Sequence, residues 1–197
     1  MELKKKPIHG LNRYEMTPDF IERVQKRVLT FDPDWDKHPG AVDRKEAVQI
    51  GMPGELRMLD WLPSDRLDCA QEKSYEKFPD AILGKTQLES RATSFNYSSV
   101  YETARAIIWE DKYYPEFVGI YIFSLVNVDA GLIFLTGWCV SDEFLSLATR
   151  VPADGTTRIL GGSEIRKKSC YMIHVGHQRR LSTLRPYLLE KGLWIPK

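Results

Sequence analysis

The stretch Phe78-Pro79-Asp80-Ala81-Ile82-Leu83-Gly84-Lys85-Thr86-Gln87-Leu88-Glu89-Ser90-Arg91 decides how this 197-residue chain is read. Two runs of strand-forming residues flank Gly84-Lys85, which is the signature of a β-hairpin closed by a two-residue turn. The expected arms are about Tyr75–Leu83 and Thr86–Thr93. With Gly84-Lys85 as the turn, Leu83 faces Thr86, and counting outward places Asp80 directly across from Glu89. Residues opposed in this way project from one face of the hairpin, with Cβ atoms ~4.5–5.5 Å apart. Two carboxylates so placed repel each other unless something positive lies between them. A divalent cation that prefers oxygen ligands resolves the conflict, and the backbone carbonyl of Ser90 is a further candidate ligand.

Arg91 lies two residues beyond Glu89 and therefore shares its face. A fixed positive charge there can hold a phosphate oxygen or stabilise charge that develops in a transition state. Gln87, on the same face, is a candidate for orienting a metal-bound water. A bound cation lowers the pKa of such a water and so makes a nucleophile. Two carboxylates, a cation and a positive side chain are sufficient for phosphodiester hydrolysis. The competing reading is a solvated hairpin in which Arg91 is a surface ion-pair partner.

Working outward, the upstream chain offers a helix from Thr17 to about Leu29, capped by Thr17, with Pro18 in its first turn and Phe20, Ile21, Val24 and Val28 as its apolar stripe. Residues 31–43 are rich in Asp, Pro and Gly and read as a loop. A helical pattern from about Arg44 to Leu62 follows, with a break near Pro53 and an end at Pro63. Downstream, Ser99 and Glu102 have the spacing of a capping box, which predicts a helix carrying Val100, Ala104, Ile107 and Ile108 inward. Phe117–Val126 and Leu132–Val140 are strongly apolar and predict a second hairpin. Ser141 is expected to cap a short helix, followed by a strand near Ser169–Val175 and a helix near Ser182–Lys191. The mixture is an α/β or α+β arrangement, with a mostly antiparallel mixed sheet and helices on its faces.

The hairpin resembles the PD-(D/E)xK signature of the restriction-endonuclease-like nucleases. The first carboxylate of that signature falls on Asp80, the second on Glu89, and its basic residue on Arg91, where lysine is usual. Gly51-Met52-Pro53-Gly54-Glu55 looks like the Gly-x-x-Gly-Glu helix start whose glutamate completes the metal site in many members. The resemblance covers roughly residues 45–145. It implies a restriction-endonuclease-like α/β core with a mixed central sheet flanked by helices, Mg²⁺ or Mn²⁺ held by Glu55, Asp80, Glu89 and Ser90, and cleavage of DNA. Residues 1–40 then stand as an N-terminal helical extension, and 41–197 as the nuclease-like domain with a basic C-terminal part. Arginine cannot act as a base, so the same resemblance admits an inactive nuclease-like module that binds nucleic acid or a protein. An unrelated interaction protein would require Asp80 and Glu89 to lie far apart.

Composition is compatible with this. Apolar residues make up 43% and charged residues 28%, which is ordinary globular usage. The formal net charge of +1 hides a segregation: residues 150–197 carry ten Lys/Arg against three Asp/Glu, whereas residues 29–149 carry eleven against twenty. An acidic centre between basic ends suits a cation site beside surfaces that grip phosphate. Arg166, Lys167, Lys168, Arg179 and Arg180 are the candidate phosphate contacts. His174 and His177 are poorly spaced to share one metal on a strand. Three distant cysteines argue against a disulfide framework and for a reducing, cytoplasmic setting. Neither a membrane span nor a secretory signal is expected. Double-strand cutting would favour a homodimer.

Overall fold

Thr17 starts the first helix by accepting the Phe20 N–H on its hydroxyl at 3.3 Å, as a cap ahead of Pro18 should. The structure is a computed structural model. It describes residues 11–31, 47–62, 80–97, 99–101, 104–153, 156–159, 162–165 and 169–193. A short strand, β1 (Asn12–Glu15), precedes the helix, α1 (Pro18–Phe31). Phe20, Val24 and Val28 are its buried stripe, whereas Ile21, expected in that stripe, is 44% exposed. Residues 11–31 make contacts with later elements. β1 pairs antiparallel with a later strand, and the Arg57 guanidinium lies between the rings of Tyr14 and Phe20, 4.6 and 4.3 Å from their centroids.

A wide π-helical turn at Ala47–Gly51 leads into α2 (Met52–Trp61), so the winding changes just before Pro53. The first hairpin follows as β2 (Ala81–Leu83) and β3 (Thr86–Ser94), with Leu83 opposite Thr86 and Ala81 opposite Leu88, the register counted from the turn. Gly84 has φ 65° while Lys85 does not take a positive φ, the combination of a type II′ turn. The arm expected at residues 75–79 lies outside the described residues.

The helix expected after Ser99 is not present in the described part of that segment. Residues Arg105–Trp109 form a strand, β4, with Ala104 packed just before it. Val100, Ala104, Ile107 and Ile108 fit a helical face while Ala104, Ala106 and Ile108 alternate, and pairing with a late strand decides between the two periods. β5 (Ile120–Asn127) and β6 (Leu132–Val140) make the second hairpin as expected. Then come α3 (Ser141–Leu147), β7 (Thr149–Val151), β8 (Thr156–Ile159), β9 (Gly162–Ile165), β10 (Cys170–His174) and α4 (Leu184–Glu190). Ser141 does not cap α3. It is the first helical residue, and its hydroxyl accepts the Gly119 N–H at 3.1 Å.

The described strands form a five-stranded mixed sheet in the order β1-β6-β5-β3-β2, a three-stranded sheet β4-β10-β7, and the pair β8-β9. Only β3 and β5 pair in parallel. The fold is thus mixed α/β. On one face of the large sheet, Leu88, Ile120, Ile122 and Trp138 pack against Met58 and Leu59 of α2, Leu62 just past its end, and Leu184 and Leu188 of α4. On the other, Tyr121, Phe123 and Cys139 meet Phe144 of α3 and Ala106, Ile108 and Ile173 of the smaller sheet. A bulge at Thr136 lets both β6 halves keep an apolar residue toward the helices.

Candidate functional site

The hairpin register positions the central pair. β2 begins at Ala81, so Asp80 stands one step beyond it, across from Glu89. Asp80 Oδ2 accepts the Ser90 N–H at 2.7 Å. The Ser90 N–H is thus engaged by Asp80. Glu89 is only 6% exposed. Its Oε1 lies 3.1 Å from Arg91 Nη2, while its Oε2 is buried with no hydrogen-bond partner. Arg91 also donates to the Lys112 carbonyl at 3.0 Å, and its guanidinium lies 5.7 Å from the centroid of Tyr121. Tyr121 is the neighbour of Glu89 on β5, and its hydroxyl too is buried without a partner.

The third carboxylate arrives from α2, and Gly54 is what allows it. A Cβ at position 54 would overlap Ser124 Oγ and come within 2.7 Å of Ala92 Cβ, so only glycine lets the first turn of α2 rest on β3 and β5. Glu55 is the next residue. Its Oε1 accepts from Arg27 Nε at 3.1 Å and also from Arg27 Nη2. Arg27 belongs to α1 and is 28 residues earlier in the chain.

Burial holds the Asp80 carboxyl well above the usual carboxylate range, to about 7; the charge of Glu55 adds to this, and the Ser90 N–H, Arg91 and Arg27 oppose it. Glu89 is pushed higher still, to about 9, by burial first and then by Asp80, with Arg91 opposing and Glu55 adding. Glu55 thus stands close enough to make both of the others hold protons more tightly. The site carries three mutually repelling carboxylates, two partly compensating guanidiniums and one buried carboxylate oxygen that nothing satisfies. Unsatisfied buried acceptors are costly, and a hard cation bound by Asp80 and Glu89 would remove both the repulsion and the orphan. The donor set fits Mg²⁺ or Mn²⁺ in this respect. Among the described residues, however, no three His, Cys, Asp or Glu side chains are already gathered about a common metal position. Glu55 is turned toward Arg27.

The other expected residues are dispersed. Gln87 is exposed on β3, on the Glu89 face. Arg179 bonds both carboxylate oxygens of Glu143 at 2.7 and 2.8 Å and lies near the rings of Trp138 and Tyr187. Arg180 is exposed, and its carbonyl accepts the Trp138 indole N–H at 2.9 Å. Arg166, Lys167 and Lys168 lie outside the described residues. His174 and His177 meet ring edge to ring face with centroids 5.4 Å apart. Cys139 and Cys170 are buried and in no disulfide, and Cys69 is outside the described residues.

Sequence reasoning missed Arg27 and Tyr121. Tyr121 is hidden inside an apolar run. Arg27 lies between Val24 and Val28 on the inner edge of α1, so its helical phase was the one available signal. Among the described residues no helix is long and apolar enough to cross a membrane. No protein-family model, curated protein or solved structure matches this chain.

Proposed function

We propose that the chain is a metal-dependent endonuclease that hydrolyses DNA phosphodiester bonds with a restriction-endonuclease-like site. The observation that carries this reading is Glu89 Oε2, buried and unpartnered beside Asp80 in a hairpin register that faces the two carboxylates. In this reading Asp80 and Glu89 hold Mg²⁺ or Mn²⁺, with Glu55 and the Ser90 carbonyl as additional oxygen donors. The bound cation supplies a water of lowered pKa and a Lewis acid for the phosphate. Arg91 places a permanent positive charge beside the site and can hold a non-bridging phosphate oxygen. Gln87 is the side chain available to orient the attacking water. Arg180 and the Arg166-Lys167-Lys168 run supply phosphate contacts that fix the DNA without reading its sequence. A homodimer would bring two such sites to a duplex.

A second reading is favoured by one specific observation. Arg91 is held by both Glu89 and the Lys112 carbonyl, at the position where the resembled nucleases usually have lysine. In that reading the chain is a catalytically inactive nuclease-like module that binds nucleic acid or a protein partner. One experiment separates the two. Plasmid and single-stranded DNA are incubated with the protein in Mg²⁺ or Mn²⁺. The nuclease reading expects metal-dependent cleavage that Asp80→Ala and Glu89→Ala each reduce by at least about 10²-fold, as expected when a transition-state interaction is removed. Cleavage unchanged in both variants overturns it. Salt-sensitive binding without cleavage, with activity appearing in Arg91→Lys, selects the inactive module.

A further inference from the structure

The N-terminal helix reaches the site through one side chain. Arg27 is three-quarters buried and Glu55 more so, with side-chain exposures of 25% and 15%. Two donors of the Arg27 fork, Nε and Nη2, converge on the single oxygen Oε1 of Glu55. The position of Arg27 is fixed independently, because Phe20, Val24 and Val28 anchor α1 in a core shared with Ile50 and Leu56 at the start of α2. Gly54 fixes the backbone of Glu55 against the sheet on the other side. The ion pair is therefore clamped at both ends by packing, and it sits in the field of Asp80 and Glu89.

From this geometry we infer that Arg27 competes with the divalent cation for Glu55 and so sets the cation affinity of the site. The inference rests on the metal site proposed above and deepens it by naming the group that regulates it. Glu55 has one carboxylate to give. While the guanidinium fork holds Oε1, the carboxylate is oriented toward α1, and a cation seated on Asp80 and Glu89 must draw it away or do without it. Arg27 is thus a positioning residue that acts through Glu55. Charge-assisted guanidinium–carboxylate bonds in partly buried settings are strong enough to matter in this contest.

The test is a titration of the intact chain with Mn²⁺ alone, followed by calorimetry at one fixed pH, on the wild type, Arg27→Gln, Glu55→Gln and the double variant. Releasing Glu55 in Arg27→Gln should tighten Mn²⁺ binding about tenfold, or ~1.4 kcal/mol. In the Glu55→Gln background the Arg27→Gln substitution should have no such effect, since the competition runs through Glu55. Arg27→Lys keeps the charge and most of the packing and should stay near the wild-type affinity, which guards against a folding defect in Arg27→Gln. Unchanged or weaker binding in Arg27→Gln overturns the inference. So does an equal gain in both backgrounds, which would show a general field effect of the lost charge. If wild-type protein binds no Mn²⁺, or binds it equally in Asp80→Asn and Glu89→Gln, the metal site itself is refuted and the inference falls with it.

Discussion

Glu89→Gln is the substitution that most directly interrogates the site. Glu89 is almost fully buried, faces Asp80, and has its affinity for a proton raised to about 9 by burial and by that neighbour. Near pH 8 the folded chain therefore keeps one proton on Glu89 that the unfolded chain, with an ordinary carboxylate, has released. Linkage gives the sign: the folded state binds more protons, so stability falls as pH rises. The contribution is fully present below the ordinary glutamate range and is lost as pH climbs through about 9. The slope depends on the number of protons rather than on the size of the shift. One proton corresponds to ~1.4 kcal/mol per pH unit, which for a domain of this size is roughly 3–6 °C in Tm per pH unit. Asp80, raised to about 7, adds a second proton of the same sign on the acidic side.

The assay is thermal unfolding of metal-free protein in steps of half a pH unit from 7.5 to 8.5. Wild-type Tm should fall across this window, and the Glu89→Gln slope should be shallower by about one proton's worth. Saturating Mg²⁺ should flatten or reverse the wild-type slope, because a cation binds the deprotonated carboxylates and its affinity rises with pH. It should leave the variant largely unaffected. Equal slopes in the two metal-free proteins would mean that Glu89 is ionised in the folded state, and the argument from its burial and from Asp80 would be refuted.

Two further predictions test how the site is positioned. Gly54→Ala places a methyl against Ser124 Oγ and Ala92 Cβ; overpacking of this kind costs about 1–3 kcal/mol, and it should lift the first turn of α2 and weaken Mn²⁺ binding, whereas Gly51→Ala, where the added Cβ meets nothing within 4 Å, should do neither. Arg179→Ala removes two bonds to Glu143 and the stacking on Trp138 and Tyr187; it should lower chemical-denaturation stability by about 1–2 kcal/mol and leave the salt dependence of DNA binding unchanged, and a slope reduced by about one phosphate contact would return Arg179 to the interface.

What could be read from the chain, and what could not, follows the range of the forces involved. The Asp80–Glu89 register was legible because Gly84 supplies the positive φ and two residues close the turn, so pairing is fixed locally. The approach of α2 was legible as Gly51-Met-Pro-Gly-Glu55 because close packing against Ala92 and Ser124 leaves a glycine in the sequence. The segment from Ser99 to Ile108 misled because its apolar residues satisfy two periods at once, and the choice was made by Cys170–His174, more than sixty residues later. The pairing of Arg27 with Glu55 was not legible. Helical phase sets Arg27 on the inner edge of α1, but an ion pair between two helices depends on how those helices pack, and that is not written locally.

That unread pair changes the meaning of the arginine at position 91. Three ionised carboxylates in a half-buried site would make folding depend on a cation, as removing the partner of a buried charge is strongly destabilising. Here Arg27 and Arg91 bring the site to within one charge of neutrality, and a single proton held by the Asp80–Glu89 pair covers the remainder. Folding therefore does not require a cation, and on the proposed reading one would be taken up afterwards. The two guanidiniums are not equivalent in what they block. Arg91 pairs with Glu89 through Oε1, and the orphaned oxygen is Oε2, so a cation can engage Glu89 while the pair persists. On the proposed reading Arg91 would then remain beside the cation as a fixed charge for phosphate. Arg27 instead occupies the carboxylate that would complete the ligand set. On the proposed metal site, Arg27 would then limit the cation more than Arg91 does.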